Sequence, residues 1–387
     1  MHMLNPNSEV YDYHRRTYGE RFKYTDFVAG FRAENFEPER WADLFARSGA
    51  GYVVLVTKHH DGFCLWPSAQ AHNWNSVEVG PHRDLVAEVS EAVRAKGLRM
   101  GLYYSLSEWF HPWTSELITA EERDYPRYVE EHMLPQMKDI VERYKPAVLF
   151  PDGHWTATTE TWRSREFLAW LFNESSVRDD IAVNDRWGYS PEGENTMGKH
   201  GGFFTPEYDE ISHEEKIEFE ETHPWAECRG VGTSFGYNRN EDTSDYLSEK
   251  ALIHLLIEKV SRGGGLLLNV GPTADGRIPV IQEERLLQLG EWLAVNGEAI
   301  RGTTKGRTAA EGDVRYTQGK DATYAICLKW PGEELIVEAP GAEVEVEMLG
   351  YGTVASQVEG GKVRIQTPRL GPDEAPCGHA WCFKLKC

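Results

Sequence analysis

Three short segments place polar side chains where an apolar run stops. Lys58-His59-His60-Asp61-Gly62-Phe63 follows YVVLVT at 52–57, with Leu65-Trp66 just beyond; Asp152-Gly153-His154-Trp155 follows AVLFP; Asp185-Arg186-Trp187-Gly188 follows IAVN. Adjacent histidines at a strand end project to different sides. That suits hydrogen bonding to a polyhydroxylated ligand better than a shared metal, for which an i, i+4 pair on a helix is the natural spacing. A carboxylate delivered by an apolar strand and followed by Gly and an aromatic is what nucleophilic attack at an anomeric carbon needs, namely an acid held in a partly dry pocket. Arg186 offers a fixed guanidinium for hydroxyls or for orienting a carboxylate. Each residue also has a plainer reading: a structural His pair, an Asp152 that caps the following helix, and an Arg–Asp pair at a rim.

These segments need a scaffold that brings strand ends together. From about residue 50 to about 300, short β-branched runs alternate with longer amphipathic stretches, the pattern of βα units around a parallel sheet. Strands are predicted at 52–57, 98–104, 147–150, 181–184 and 265–270, with room for two more in 201–237. The clearest helical stretches are DLVAEVSEAVRAKG, ERDYPRYVEEHMLPQMKDIVERY, SDYLSEKALIHLLIEKVSRGGG and IQEERLLQLGEWLAVNGEAI. Weakly periodic, Gly-rich and acidic sequence at 191–224 reads as long loops. The spacing predicts an α/β fold of (β/α)8 type, in which chemistry sits at the C-terminal strand ends. Beyond residue 300 short alternating segments separated by Gly, Pro and Asp predict a small antiparallel β-sandwich. The predicted division is a barrel over 1–304 and a sandwich over 305–387.

Composition narrows the ligand. With 41 Lys+Arg against 62 Asp+Glu, the net charge of −21 disfavours nucleic acid and anionic membranes. No apolar run approaches the ~20 residues of a membrane span. The 13 Trp, 17 Tyr and 15 Phe fill a large core and also suit sugar rings, whose C–H faces pack on π surfaces. Six cysteines without CxxC spacing neither form a zinc ribbon nor force a disulfide framework. No cofactor or metal is expected, and oligomeric state is left open. The first residues contain no apolar leader segment, so the cytoplasm is only the default location.

The segments YVVLVTKHHDGFCLWPS, GLYYS, VNDRWG, RGVGTSFGYNRNE and GGGLLLNVGPTADGRIP resemble those of the α-L-fucosidases of glycoside hydrolase family 29, over about 11–302. The resemblance implies a barrel followed by a sandwich. It also implies a retaining exo-α-L-fucosidase that removes terminal α-L-fucose from fucosylated glycans through a covalent fucosyl-enzyme. Asp152 is implied as nucleophile and Glu207, in Thr205-Pro206-Glu207-Tyr208, as general acid/base. His59, His60, Tyr103, Arg186 and Trp66 are implied as sugar contacts. A retaining pair stands about 5–5.5 Å apart, one carboxyl ionised and the other protonated, and repulsion from Asp152 would raise the pKa of Glu207 as the acid role needs.

The chain departs from the family pattern in three places. Similar proteins open with a strand and loop resembling FGIFIHWG, and this sequence begins beyond that point, so the barrel is expected to lack its first strand and to expose two sheet edges. Where some members carry Trp-Glu as the proposed acid/base, this chain has Trp225-Ala226, with Glu227 one place later. A one-residue shift points Glu227 to the opposite face of its strand. Phe150 stands where similar proteins often have Trp beside the nucleophile. The first two departures leave an alternative expectation, a fucose-binding homologue without turnover.

Overall fold

The computed structural model describes residues 7, 9–115, 117–190, 202–208, 223–371 and 373–387. They fall into two compact units, one formed by 1–42, 52–201 and 273–277, the other by 43–51, 202–272 and 278–387.

The first unit is built on a parallel sheet of β1 (Tyr52–Lys58), β2 (Arg99–Ser105), β3 (Val148–Asp152) and β4 (Ala182–Val183), in that spatial order. Helix α1 (Glu9–Tyr18) and helix α2 (Pro38–Arg47) precede the sheet. Between β1 and β2 runs α3 (Leu85–Ala95), started by Asp84, whose carboxylate accepts from the Ala87 N–H at 2.9 Å. Its Leu85, Val86, Val89, Ala92 and Val93 recur at helical spacing and are all buried. Between β2 and β3 lie α4 (Tyr125–Tyr128) and α5 (Leu134–Tyr144), joined by a π turn over Val129–Met133. The sequence reads this stretch as one regular helix. The extra residue of the π turn changes which side chains face inward, and Tyr128 and His132 both end up on a buried carboxylate described below. Helix α6 (Ser164–Asn173) connects β3 to β4. Its first residue follows Arg163 in the left-handed region rather than a Ser, Thr or Asp cap, and for that reason no start signal marks it.

In the second unit β5 (Ala226–Gly230) pairs in parallel with β6 (Gly265–Asn269), joined through α7 (Glu249–Ser261). The segment 203–208 extends this pairing, through bridges from Phe204 to Trp225 and from Glu207 to Cys228. Of the two strands expected in 201–237, the described residues therefore contain one strand and one bridged segment. Most of the predicted loops at 191–224 lie outside the described residues. Helix α8 (Val280–Asn296) leads into antiparallel strands that run from β7 (Thr304–Glu311) to β15 (Trp381–Lys386). These form a six-stranded and a three-stranded sheet.

Strand β9 (Thr323–Cys327) shows how these layers stack. Tyr324 and Ile326 pack with Leu252, Ile257 and Trp292 from α7 and α8. The alternating Ala325 and Cys327 pack with Val337, Val363 and Ile365 of the facing sheet. The period-two alternation of a strand thus puts one face of the larger sheet on helices and the other on the second sheet.

Candidate active site

The polar residues of the first unit converge on Asp152. The last residue of β3, it is buried, with one carboxylate oxygen accepting from Arg186 Nη1 at 2.7 Å and the other from the Tyr103 hydroxyl at 2.6 Å. Burial alone would raise its pKa. The Arg186 charge and the hydrogen bonds from Tyr103 and Arg186 outweigh burial and hold the carboxyl below its usual value. Asp152 is therefore an anion at neutral pH. It does not cap the short helix that follows, where Gly153 is the flanking residue and no side-chain cap bond is made. Arg186 does form an Arg–Asp pair, and its partner is Asp152 itself.

Tyr103 is positioned by β2 and carries the wall of the site in both directions. Its ring stacks on Phe150 on one side, with centroids 5.8 Å apart, and on His59 on the other, at 5.7 Å and 6° between planes. The Arg186 guanidinium lies over Phe150 at 5.4 Å. His59 meets His60 edge to face at 4.7 Å. The two rings have separate environments, as adjacent strand-end residues should: His59 is exposed and His60 is buried.

A shift in register sets that divergence. Val56 pairs with Tyr103 and Lys58 pairs with Tyr104, so Thr57 is an extra residue, and its hydroxyl donates to the Tyr103 carbonyl at 2.6 Å. Such bulges re-aim side chains at strand ends. His60 Nδ1 lies 3.0 Å from the Ser107 carbonyl, and a carbonyl only accepts, so Nδ1 carries the proton and Nε2 is left as an acceptor. Burial, assisted by the neighbouring His59, pushes His60 down to about 4, so this ring is neutral at pH 7. Gly153 is required beside it. Its φ is 82°, and a Cβ there would stand 2.8 Å from His60 Cε1 and 2.9 Å from Ser107 Oγ.

One predicted contact does not belong here. Trp66 is fully buried in the hydrophobic core, and its Nε1 donates to Asp139 at 2.9 Å. Cys64 and Trp66 both turn inward after the His–His turn, so nearness in sequence does not place Trp66 at the site. Asp61 also serves the turn, accepting from the Phe63 N–H at 3.1 Å and from the Tyr24 hydroxyl at 3.0 Å.

A buried charge network behind the site gives no signal in the sequence. Lys58 Nζ donates to Glu108 at 2.5 Å and lies 4.0 Å from the Tyr104 ring centroid. Glu108 also accepts from His132 at 2.7 Å and Tyr128 at 3.3 Å. Burial opposes ionisation of Glu108, but Lys58 and His132 overcome it and hold the carboxyl far below its usual value. The pair ties the end of β1 to the loop after β2, on which Trp109 donates its backbone N–H to the His60 carbonyl at 2.7 Å. Removing one partner of a buried pair strands the other charge. Glu108→Ala should therefore lower the unfolding free energy by about 3–5 kcal/mol in urea titrations. Loss of the exposed Lys329–Asp313 pair should cost no more than ~1 kcal/mol. Equal effects would refute a structural role for the Lys58–Glu108 pair.

In the second unit, Glu207 is half-buried at the end of the bridged segment. The segment is fixed by hydrogen bonds from the Ala226 N–H to the Phe204 carbonyl at 2.9 Å and from the Cys228 N–H to the Pro206 carbonyl at 2.8 Å. Next to it the Tyr208 hydroxyl accepts from the Gly230 N–H at 3.0 Å. Glu227 is engaged elsewhere: it is 1% exposed and ion-paired with the equally buried Lys259 of α7. The alternation along β5 thus sends Glu227 to the helix side, and its carboxylate is committed to that pair. Among the described residues no group of three or more His, Cys, Asp or Glu could hold a metal ion, and no described helix is long and apolar enough to cross a membrane.

Comparison with known proteins bears on the whole chain. A family model described as α-L-fucosidase matches residues 1–298, and one described as the α-L-fucosidase C-terminal domain matches 308–386. Plasma α-L-fucosidase of Rattus norvegicus is 43% identical over 97% of this chain and 82% of that protein. Tissue α-L-fucosidase of Homo sapiens is 41% identical over 96% and 79%. Among solved structures, the Thermotoga maritima α-fucosidase in complex with a mechanism-based inhibitor superposes with a TM-score of 0.83 at 34% identity, covering 98% of this chain and 86% of that one. For α-L-fucosidase isoenzyme 1 of Paenibacillus thiaminolyticus the TM-score is 0.80 at 27% identity, with 94% and 89% covered. This chain has an incomplete (β/α)8-type core followed by an antiparallel β-sandwich, in keeping with those superpositions, and it belongs to the α-L-fucosidases of glycoside hydrolase family 29.

Proposed function

We propose the following division of labour in this retaining exo-α-L-fucosidase. An Asp152 oxygen attacks the anomeric carbon of a terminal α-L-fucoside and forms an ester bond as the bond to the leaving oxygen breaks. Glu207 gives its proton to that oxygen. In the second half Glu207 takes a proton from water, the water oxygen bonds to the anomeric carbon, and Asp152 leaves as a carboxylate. Tyr103 and Arg186 keep Asp152 ionised and aimed between attacks. His59, on the exposed side, and His60 through Nε2 accept fucose hydroxyls. Residues 1–304 form the catalytic domain and 305–387 the sandwich in this reading. Its support is the change from parallel to antiparallel pairing between β6 and β7. The substrate is a fucosylated glycan, and its neutral sugar meets no electrostatic obstacle on a chain of net charge −21.

The observation that carries the reading is the ionised, buried Asp152 held by Tyr103 and Arg186 at the tip of β3. Two successive displacements at one carbon return the starting configuration. Proton NMR during cleavage of 4-nitrophenyl α-L-fucoside should therefore show α-L-fucose first, with the β anomer arising later by mutarotation. β-L-Fucose as first product would refute a covalent intermediate on Asp152.

A further inference from the structure

Thirteen tryptophans occur in the chain, all of them in the described residues, and Trp155 is the one that is exposed, at 55%. Its place follows from the backbone that presents the nucleophile. Gly153 takes a left-handed conformation against His60 and Ser107, and the single turn His154–Thr156 that follows buries His154 and turns Trp155 outward. The indole is not isolated from the site. Its ring centroid is 5.7 Å from His60, which also lies 5.5 Å from Trp109, inclined by 28°. A continuous aromatic row, Trp109, His60, Trp155, thus borders the sugar-binding histidines and ends in a free indole face. Trp155 makes no hydrogen bond through Nε1 among the described residues, so an N–H donor is available at the rim of that face.

An exposed indole costs solvation without contributing to the core, and core packing does not explain its position three residues after the nucleophile. We propose that Trp155 is the platform of the leaving-group subsite, stacking on the C–H face of the pyranose to which fucose is attached. A pyranose offers what this surface matches: a neutral ring with an apolar face for the indole and hydroxyls at its rim for Nε1. The inference rests on Asp152 being the nucleophile, because that fixes which side of the site the departing sugar occupies. Trp155 touches only the departing part of the substrate. It therefore governs which glycan is cleaved and leaves recognition of fucose to His59 and His60.

The test compares leaving groups of similar basicity that differ in whether they can stack. Wild type, Trp155→Ala and Trp155→Phe are assayed on methyl α-L-fucoside and on a panel of fucosyl-pyranose disaccharides with α1,2, α1,3, α1,4 and α1,6 linkages. For the disaccharide that wild type cleaves fastest, Trp155→Ala should lose roughly tenfold in kcat/KM, the scale of one aromatic stacking contact. Methyl fucoside cleavage and inhibition by free L-fucose should change less than twofold, and Trp155→Phe should recover most of the loss. A merely structural role would move all three readouts together, and such a parallel loss overturns the proposal. An unchanged Trp155→Ala, or a wild type that prefers methyl fucoside to every disaccharide, overturns it as well. A wild type that cleaves no fucoside at all would instead overturn the assignment of the site.

Discussion

Replacing Asp152 by alanine is expected to lower kcat on 4-nitrophenyl α-L-fucoside on the order of 10⁴-fold, with the fold intact by circular dichroism. The effect is this large because truncating the tip of β3 removes the carboxylate proposed to form the glycosyl ester. The substitution also removes the carboxylate that pairs with Arg186, a residue only 3% exposed. Some loss of stability is therefore expected beside the loss of rate. Azide separates the two effects. A small anion can enter the space vacated by the carboxylate and attack from the same side, so turnover should return with added azide and the product should be β-L-fucosyl azide. Rescue with that inverted configuration is what a missing nucleophile predicts and a merely destabilised protein does not. Retained activity in Asp152→Ala without azide would end the assignment.

Glu207→Ala should divide substrates by how much their leaving oxygen needs a proton. Methyl α-L-fucoside, which departs as a basic alkoxide, should lose at least about 10³-fold in kcat/KM. The 2,4-dinitrophenyl fucoside, which leaves without protonation, should lose far less in its first step and should accumulate fucosyl-enzyme, because water then lacks its general base. Azide, which needs no base, should speed turnover of this variant and give α-L-fucosyl azide, the configuration opposite to that from Asp152→Ala. An equal loss on both substrates would show that Glu207 is not the acid. Glu227→Gln makes the contrast, since it releases a buried charge from Lys259; its expected effect is on stability, without dependence on the leaving group.

What the sequence discloses and what it hides differ for physical reasons. The strands of the parallel sheet are readable from continuous apolar runs such as YVVLVT and AVLF, whether buried throughout, as β3 is, or only partly, as β1 is with Val56 exposed, and the structure shifts their ends by only a residue or two. Asp152, His59, His60 and Arg186 are visible because each is a polar residue at the point where such a run stops. Helix α6 was not readable, since its start lacks a capping side chain. The tie between Lys58 and Glu108 was hidden by a separation of 50 residues, and nothing in either local sequence announces a partner. Trp66 shows the opposite failure. It follows the histidines closely in the chain, yet the hairpin after them turns it into the core. Glu207 is proposed through the family resemblance and not through periodicity, because the sequence around it is loop-like.

The central claim is that the sugar becomes bonded to Asp152, and trapping that bond tests it most directly. A 2-deoxy-2-fluoro-L-fucosyl fluoride carries an electron-withdrawing fluorine that slows both steps and a leaving group good enough to let the first one proceed. Incubation should inactivate the enzyme with one equivalent bound. Peptide mass spectrometry after digestion should then place the fluorofucosyl mass on Asp152. Attachment to any other carboxylate, or inactivation without a covalent adduct, would contradict the account.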